Sequence, residues 1–397
     1  MSDVVREAEA FLAANWSAGV DPDTWRELVI DERWSALRWP SASYGRDLSD
    51  DDARAVEAVF AAAGAPGPGQ DRFNLWAGTL VAHGSPELQQ RFLRSLLLDE
   101  VAMCLLYSEP GAGSDLAGIR TTAVRDGDEW VVNGQKVWTS GARDADYGML
   151  IARTDWDQPK HRGITFFWFP MKQAGVEVRP LRQATGDARF NEVFITDARV
   201  PDSHRVGDLN AGWWVLQTAL AYERVAMGGS RRGPSGPARG ATAQAHGTIP
   251  TPDISLVKLA KAVGKTDQPH VRQQLMRLHA MRTVNDWNTA RAQAATANGG
   301  SSPLASLGKL AMAQILHAAG HLQGELLGME GTLDGDDQPR ARDANYSQLN
   351  AYFYSIGGGT DQIQRNIIGE RVLGLPKEPE VDRAIAFKDV PASQVRR

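Results

Sequence analysis

The apolar periodicity of the chain changes twice along its 397 residues, and this feature constrains the fold more than any other. In the first hundred residues, apolar side chains such as Val56, Val59 and Phe60 recur at three- and four-residue spacing, which is typical of helices with one buried face. From about Leu105 short strand-like runs replace this spacing, and after Gly212 the helical spacing returns. We therefore expect a multidomain α+β fold in which a β-domain separates two helical domains.

Local signals indicate where helices begin and which faces they bury. Ser85 precedes Pro86 and Glu87, a combination typical of an N-cap with proline at the first helical position. Two later segments carry apolar residues on a shared face, namely Val271, Leu275, Leu278 and Met281, and then Leu304, Leu307, Ala311 and Ile315. A last helix is expected to start at about Asp361 and to end before Pro376. Long helices with short connections predict a C-terminal helical bundle.

The middle of the chain is predicted to form an antiparallel β-domain. Asn133-Gly134, the dipeptide most typical of a tight hairpin, lies between two strand-like runs, so we expect a turn there. Further runs rich in β-branched and aromatic residues lie at 149–151, 164–169 and 193–195. No helix separates these runs, as a parallel nucleotide-binding sheet would require. The Gly111-x-Gly113 pattern is therefore not interpreted as a nicotinamide-binding fingerprint.

These patterns divide the chain into three domains. We expect residues 1–104 to form a helical domain, residues 105–206 the β-domain and residues 207–397 the helical bundle. Within the bundle, residues 228–252 are crowded with Gly, Ala, Pro and Ser. Such a stretch buries too little apolar surface to order itself, so a mobile loop is expected there.

Composition and charge weigh against several classes of protein. The formal net charge of −5 at pH 7 gives no argument for a nucleic-acid or anionic-membrane partner. No run of about 18 uncharged apolar residues is present that would predict a membrane span, and the N-terminal residues do not resemble a signal peptide. The single cysteine, Cys104, cannot form an intrachain disulfide. We therefore expect a soluble, cytoplasmic protein.

Two histidines could in principle share a metal ion. His317 and His321 are four residues apart on a predicted helix. No acidic or cysteine cluster accompanies them in the sequence, so we expect these side chains to pack or to cap, and we predict no metal site.

Four segments, spread over nearly the whole chain, resemble motifs of the acyl-CoA dehydrogenase family. They are YSEPGAGSDLAG at 107–118, NGQKVWTSG at 133–141, NEVF at 191–194 followed by Val200-Pro201, and GGTDQIQRNIIGER at 358–371 followed by Gly374-Leu375-Pro376. All four occur in the order, spacing and structural context of that family. The resemblance implies the family's helical, β and four-helix-bundle fold. It also implies FAD-dependent α,β-dehydrogenation of an acyl-CoA thioester to a trans-2-enoyl-CoA.

The resemblance also implies which residues bind the cofactor and the substrate. A flavin ring needs a flat slot, hydrogen-bond donors and exclusion of water. The matched flavin contacts are Tyr107, Ser108, Trp138 and Ser140 at the ring, and Thr360 and Gln362 near the phosphates and the adenosine. Ser114 matches the position that hydrogen-bonds the CoA arm.

The catalytic base is expected on an earlier helix than in many family members. The chemistry needs a carboxylate beside the α carbon of the substrate. Many members place a glutamate just before the Gly-Thr of the fourth motif, but Gly358 stands there in this chain. Isovaleryl-CoA and long-chain enzymes place the base in a Glu-Arg pair, which Glu223 and Arg224 match. The resemblance therefore implies Glu223 as the base, Arg224 beside the substrate, and the backbone N–H of Gly358 as a donor to the thioester carbonyl.

Two family motifs are altered in this chain. The Arg-x-x-Phe-Gly motif, whose arginine reaches the FAD pyrophosphate of a neighbouring subunit, keeps only Arg272. Met329 replaces the second glycine of the usual Gln-x-x-Gly-Gly. Such losses occur in heteromeric members of the family, so a homo-oligomer and a hetero-oligomer, dimeric or tetrameric, both stay open.

Three functions remain possible at this point. The first is a dehydrogenase that passes electrons to an electron-transfer flavoprotein. The second is a non-catalytic partner subunit of a heteromeric dehydrogenase, and the third is a flavin oxidase or monooxygenase on the same fold. A base on the earlier helix is compatible with branched or bulky acyl groups, including sterol side chains, by analogy alone.

Overall fold

The structure, a computed structural model, describes residues 2–228, 253–296, 302–335, 337–380 and 382–390. The predicted mobile loop at 228–252 lies outside the described residues except for Gly228. Among the helices that are described, none is both long and apolar enough to cross a membrane.

The N-terminal part is helical, as the periodicity predicts. Its helices are α1 Asp3–Asn15, α2 Pro22–Asp31, α3 Asp50–Ala62, α4 Gln70–Phe73, α5 Leu75–His83 and α6 Pro86–Leu97. The hydroxyl of Ser85 accepts a hydrogen bond from the Leu88 N–H, so the expected N-cap of α6 is confirmed. Helix α3 buries Val56 and Phe60 of the predicted apolar stripe.

The middle of the chain forms one eight-stranded sheet in the described residues. Its strands are β1 Met103–Leu106, β2 Thr122–Asp126, β3 Glu129–Ser140, β4 Tyr147–Arg153, β5 Ile164–Pro170, β6 Val176–Leu181, β7 Phe190–Pro201 and β8 Arg205–Val206. The order is β6-β7-β3-β2-β4-β5-β8, with β1 paired to β4. Most pairs are antiparallel, as predicted, but β1 and β2 each pair with β4 in parallel, so the sheet is mixed.

The predicted turn at Asn133-Gly134 is wrong. Strand β3 runs straight through both residues, and β2 and β3 are joined instead by the two residues after Asp126. A Cβ at Gly134 would lie 2.3 Å from the Thr121 hydroxyl, so glycine is needed there for a close approach between strands. The Asn133 side chain exchanges two hydrogen bonds with Asp197 at a bulge in the pairing of β3 with β7.

The last part of the chain is the expected helical bundle. Its helices are α7 Gly212–Gly228, α8 Asp253–Ala262, α9 Pro269–Thr296, α10 Ala305–Leu327, α11 Pro339–Ile356 and α12 Asp361–Ile367, which continues as a π-helical turn at Ile368–Val372. Helix α10 is central and packs against α7, α9, α11 and α12.

Both faces of the central strands are buried, which fixes the β-domain against the helices. On β4, Met149 and Ile151 face a core shared with α5, α6 and α7. Leu150 and Ala152 face a second core, formed with side chains of β3 and β7. As a result of this alternation, Tyr107, the residue after β1, and Ala219 of α7 are buried in the same core.

Candidate functional site

Tyr107, the residue after β1, is buried at the junction of the sheet and the bundle. Its hydroxyl lies 3.4 Å from the sulfur of Met149, and its ring meets Phe166 edge-on at 6.1 Å. Burial, together with the negative charge of Glu223, raises the pKa of the Tyr107 phenol well above its ordinary value. The Glu223 carboxylate on α7 therefore lies within electrostatic reach of the first motif.

The packing of α7 places Glu223 on the face of the helix that meets the core containing Tyr107. A Cβ at Gly78 of α5 would lie 2.4 Å from the ring of Tyr222, so the two helices meet closely at that glycine. Glu223 follows Ala219 by four residues and so shares its face, and Ala219 belongs to the same core as Tyr107. The Glu223 side chain is half-buried, whereas the side chain of Arg224 lies outside what the structure describes.

A buried ion pair joins the first two motifs. Lys136 on β3 is fully buried; its ammonium donates to a Glu109 carboxylate oxygen at 2.9 Å and to the Tyr107 carbonyl at 3.1 Å. Glu109 also accepts from the backbone N–H groups of Arg120 and Thr121, at 2.7 and 2.9 Å. Burial alone would raise the pKa of Glu109, but the Lys136 charge and these hydrogen bonds outweigh it and hold the pKa below its usual value.

This ion pair was not predicted from the sequence. The only sequence signal was that the first two motifs carry residues of opposite charge, Glu109 and Lys136. A backbone hydrogen bond joins the same two segments, because the Val137 N–H donates to the Ser108 carbonyl at 2.9 Å. Ser108 is thereby held beside the strand that carries Trp138 and Ser140.

Trp138 has an unusual backbone and an exposed side chain. It adopts a φ of +61°, which is rare for a bulky residue, at an irregularity in the pairing of β3 with β7. Its indole is 57% exposed and meets the edge of Phe190 at 5.8 Å. The hydroxyl of the neighbouring Thr139 is buried and has no hydrogen-bond partner in the described part of the chain.

The fourth motif forms a tight loop ahead of α12. Gly358 and Gly359 have φ values of +63° and +86°, a conformation that L side chains rarely adopt. The buried amide of Gln364 donates to the Gly358 carbonyl at 2.9 Å and fixes the loop. The Thr360 hydroxyl caps α12 by accepting from the Ile363 N–H.

An aromatic series connects the second and fourth motifs. Phe190 stands 5.7 Å from Phe353 on α11, and the Phe353 carbonyl accepts from the N–H of Gly357, which precedes the glycine loop. The structure thus joins Trp138 to the loop at Gly358 through two packed rings.

The other predicted residues lie on the surface. Ser114 and Gln362 are exposed, Ser140 is half-buried, and Arg272 is exposed in the first turn of α9. Helix α9 packs on α8 and α10 instead of on the junction that holds Tyr107. Met329 is 82% exposed after α10.

The two histidines considered as metal ligands have separate surroundings. The Nε2 of His317 lies 2.9 Å from the Ser355 hydroxyl, and its ring packs edge-on against Tyr352. His321 is exposed. In the described residues, no group of three or more metal-ligating side chains is found.

A helical domain, a β-domain and a helical bundle meeting at one junction define the class of fold, and comparison with known proteins gives the family. Residues 104–198 match the acyl-CoA dehydrogenase middle domain, and residues 210–373 match the acyl-CoA dehydrogenase C-terminal domain. The chain belongs to the acyl-CoA dehydrogenase family, and the resemblance of its motifs is confirmed. Members of this family are flavoprotein oxidoreductases.

Named relatives agree with this assignment. Acyl-CoA dehydrogenase IpdE1 of Mycobacterium tuberculosis is 36% identical over 89% of this chain and 88% of its own length. Acyl-CoA dehydrogenase FadE34 of the same organism is 38% identical over 90% of this chain, which spans only 47% of that relative.

Solved structures share the whole fold. One described as the Tcur3481-Tcur3483 steroid ACAD has a TM-score of 0.68 at 27% identity, covering 95% of this chain and 97% of its own. The ChsE4-ChsE5 complex from Mycobacterium tuberculosis has a TM-score of 0.67 at 31% identity, with the same coverage of both chains.

Proposed function

We propose that this protein is an FAD-dependent acyl-CoA dehydrogenase that converts an acyl-CoA thioester to a trans-2-enoyl-CoA. The observation that carries the proposal is the position of Glu223, which is half-buried on α7 four residues after Ala219, a member of the same core as Tyr107. A half-buried carboxylate at that junction can accept a proton from the α carbon of a substrate held there.

The residues at the junction fit a flavin. The exposed indole of Trp138 offers an apolar surface for a planar ring, and the strain of its backbone is typical of a functional position. The buried, unpartnered hydroxyl of Thr139 is a further polar group beside that surface. FAD, when bound, supplies the acceptor for the hydride equivalent that leaves the β carbon.

Each predicted contact has a place in this proposal. The flavin ring is contacted by Tyr107, Ser108, Trp138 and Ser140. Thr360 and Gln362 contact the phosphates and the adenosine of FAD. Arg272 contacts the FAD of a neighbouring subunit. Ser114 and Arg224 are assigned to the acyl-CoA. The exposed position of Arg272, away from Tyr107, is compatible with a role in a neighbouring subunit.

Gly358 is a donor and not a base in this proposal. Its backbone N–H polarises the thioester carbonyl, which makes the α proton more acidic. A glutamate at this position would need a φ of +63°, a conformation that costs an L residue about 1–2 kcal/mol. The base is therefore supplied by α7.

The substrate class and partners follow from the relatives. One similar structure is described as a steroid ACAD, so we propose that the substrate is a bulky acyl-CoA, such as one carrying a sterol side chain. Another is described as a complex of two different chains, so we propose that the enzyme is an oligomer. An electron-transfer flavoprotein is the proposed electron acceptor.

The test is anaerobic flavin reduction over a panel of acyl-CoAs, with wild type and Glu223→Gln. Removing a general base is expected to slow flavin bleaching about 10²–10⁴-fold while flavin content stays the same. Glu27→Gln, on the exposed face of α2, is the matched control and should bleach at the wild-type rate.

Three results would contradict the proposal. Bleaching of Glu223→Gln at the wild-type rate would show that the base lies elsewhere. A purified protein that lacks flavin and activity alone would favour a non-catalytic partner subunit. Rapid peroxide formation in air with an acyl-CoA would favour an oxidase.

A further inference from the structure

The C-terminal segment, which we define as residues Asp382–Val390, packs on the β-domain at the base of the loop that carries Ser114. We propose that this segment positions the loop for acyl-CoA binding, acting through Arg153 and Lys160. The inference rests on the proposed function, because Ser114 is assigned to the CoA arm there. We call residues 110–118 the glycine-rich loop.

The C-terminal segment is docked by both backbone and side chain. The N–H groups of Phe387 and Lys388 donate to the carbonyls of Gln158 and Trp156, at 2.9 and 3.0 Å. The Phe387 side chain is only 2% exposed, and its ring lies 5.4 Å from that of Trp156. A buried aromatic anchor of this kind contributes more to docking than exposed contacts do.

Phe387 covers a buried cation that holds the glycine-rich loop. The guanidinium carbon of Arg153, the last residue of β4, lies 3.5 Å from the centre of the Phe387 ring. The guanidinium donates to the Ala117 and Ile119 carbonyls, at 2.7 and 3.2 Å. Arg153 is fully buried, so loss of the ring would admit water to the cation that fixes the far end of the loop.

Lys160 makes the second link between the segment and the loop. Its ammonium donates to an Asp382 oxygen at 2.9 Å and to both Asp115 oxygens at 3.2 Å. The Lys160 carbonyl also accepts from Arg153 at 3.2 Å, so the two links are connected. Asp115 follows Ser114 directly, and its position therefore depends on a residue of the C-terminal segment.

The outer part of the glycine-rich loop, residues 113–115, is less supported than Ala112, which is buried and bonded through its backbone. A Cβ at Gly111 or Gly113 would meet no atom within 4 Å, and Ser114 and Asp115 are exposed. An exposed loop loses conformational entropy on binding a ligand, whereas a loop that is already ordered loses less. The C-terminal segment orders the glycine-rich loop through Arg153 and Lys160, on the side of the loop that faces the β-domain.

This arrangement predicts a change in substrate affinity without a change in chemistry. The contacts that define the docking of the segment are made with Trp156, Arg153 and Lys160 of the β-domain, so the proton-transfer step is expected to be unaffected. The segment is thus a positioning element, and its loss should raise KM and leave kcat unchanged.

The experiment compares wild type with Phe387→Ala, Phe387→Leu, Phe387→Tyr and Asp382→Asn in the full-length holoenzyme. Binding of free CoA is measured by calorimetry, and amide hydrogen exchange is followed in residues 111–120. Phe387→Ala and Phe387→Leu should weaken CoA binding about tenfold and speed exchange in the loop, because the ring over the cation is lost. Phe387→Tyr keeps a ring and should behave as wild type, and Asp382→Asn should show a smaller effect of the same sign.

Asp389→Asn, on the exposed side of the same segment, is the control and should change neither quantity. Leucine keeps most of the buried volume of Phe387, so this variant separates loss of the ring from loss of packing. Unchanged CoA binding and unchanged exchange in Phe387→Leu would overturn the inference while leaving the dehydrogenase proposal intact. A wild type that fails to bind CoA would overturn both.

Discussion

At the residue scale, Trp138 combines two costs that a stable fold would normally avoid. Its backbone is in the left-handed region, and its indole is 57% exposed. A glycine would remove the backbone strain, and burial against a planar ligand would remove the exposure. Tryptophan at this position is therefore better explained by ligand binding than by folding.

We expect Trp138→Gly to bind FAD at least about tenfold more weakly than wild type, because an aromatic contact worth about 0.5–1.5 kcal/mol and its buried area are lost. The apoprotein should be no less stable, since the strain of about 1–2 kcal/mol is relieved. Equilibrium dialysis with FAD and thermal unfolding of the apoprotein measure the two effects. Trp138→Phe keeps a ring and serves as the control; equal FAD affinity in all three proteins would exclude Trp138 as a ring contact.

At the element scale, the ion pair of Glu109 with Lys136 joins the end of β1 to β3. Both side chains are enclosed, with 9% and 0% of their surfaces exposed. Removing one partner of such a pair leaves an uncompensated buried charge, whereas removing both does not. The pair therefore acts as a single unit.

We expect Lys136→Met to lower the free energy of unfolding by about 3–5 kcal/mol. The double variant Glu109→Gln with Lys136→Met should recover part of that loss. Lys172→Met removes an exposed partner of Asp146 and is the control, with an expected loss of about 0–1 kcal/mol. Urea denaturation at neutral pH measures all three, and equal losses for Lys136→Met and Lys172→Met would contradict the prediction.

The same pair predicts how stability depends on pH. The pKa of Glu109 is lower in the folded chain than in the unfolded chain. Its stabilising contribution is therefore complete above the unfolded value of about 4.3 and is lost as the pH falls through the folded value. The stability difference between wild type and the double variant should shrink as the pH falls below about 4, and a difference that grew on acidification would contradict this sign.

The types and order of the elements could be predicted from the sequence, because apolar period and capping act over a few residues. Ser85 caps α6 and Thr360 caps α12 through contacts three residues away. The continuation of β3 through Asn133-Gly134 could not be predicted, because Gly134 is required by its close approach to Thr121, the residue just before β2. The preference of Asn-Gly for a turn contributes less to stability than the pairing of β3 with both of its neighbouring strands.

At the scale of the whole molecule, α9 presents an apolar stripe to solvent. Met276, Val284 and Trp287 are 60%, 49% and 68% exposed, and their spacing places them on one face of the helix. A stripe of this kind on a helical bundle marks a surface for association. It supports the proposal that the protein is an oligomer.

We expect Trp287→Lys to weaken self-association by at least about thirtyfold, because buried tryptophans in interfaces often contribute 2 kcal/mol or more. Analytical ultracentrifugation of wild type and variant over a range of concentrations measures the effect. Val124→Lys is the control, since Val124 is 64% exposed on the β-domain and away from α9. A wild type that stays monomeric would exclude a second copy and favour a different subunit as the partner.

The family, the four motifs and the succession of helical, β and helical segments could be read from the amino-acid sequence, because these depend on residue types at short, fixed spacings. The tertiary structure was needed to show that Glu223 shares a face of α7 with Ala219, which packs in the same core as Tyr107, that Glu109 meets Lys136, and that the C-terminal segment packs beneath the glycine-rich loop. Each of these contacts joins parts of the chain that are distant in sequence. They form because helix and strand faces must be buried together, and no local pattern encodes which distant face will be the partner.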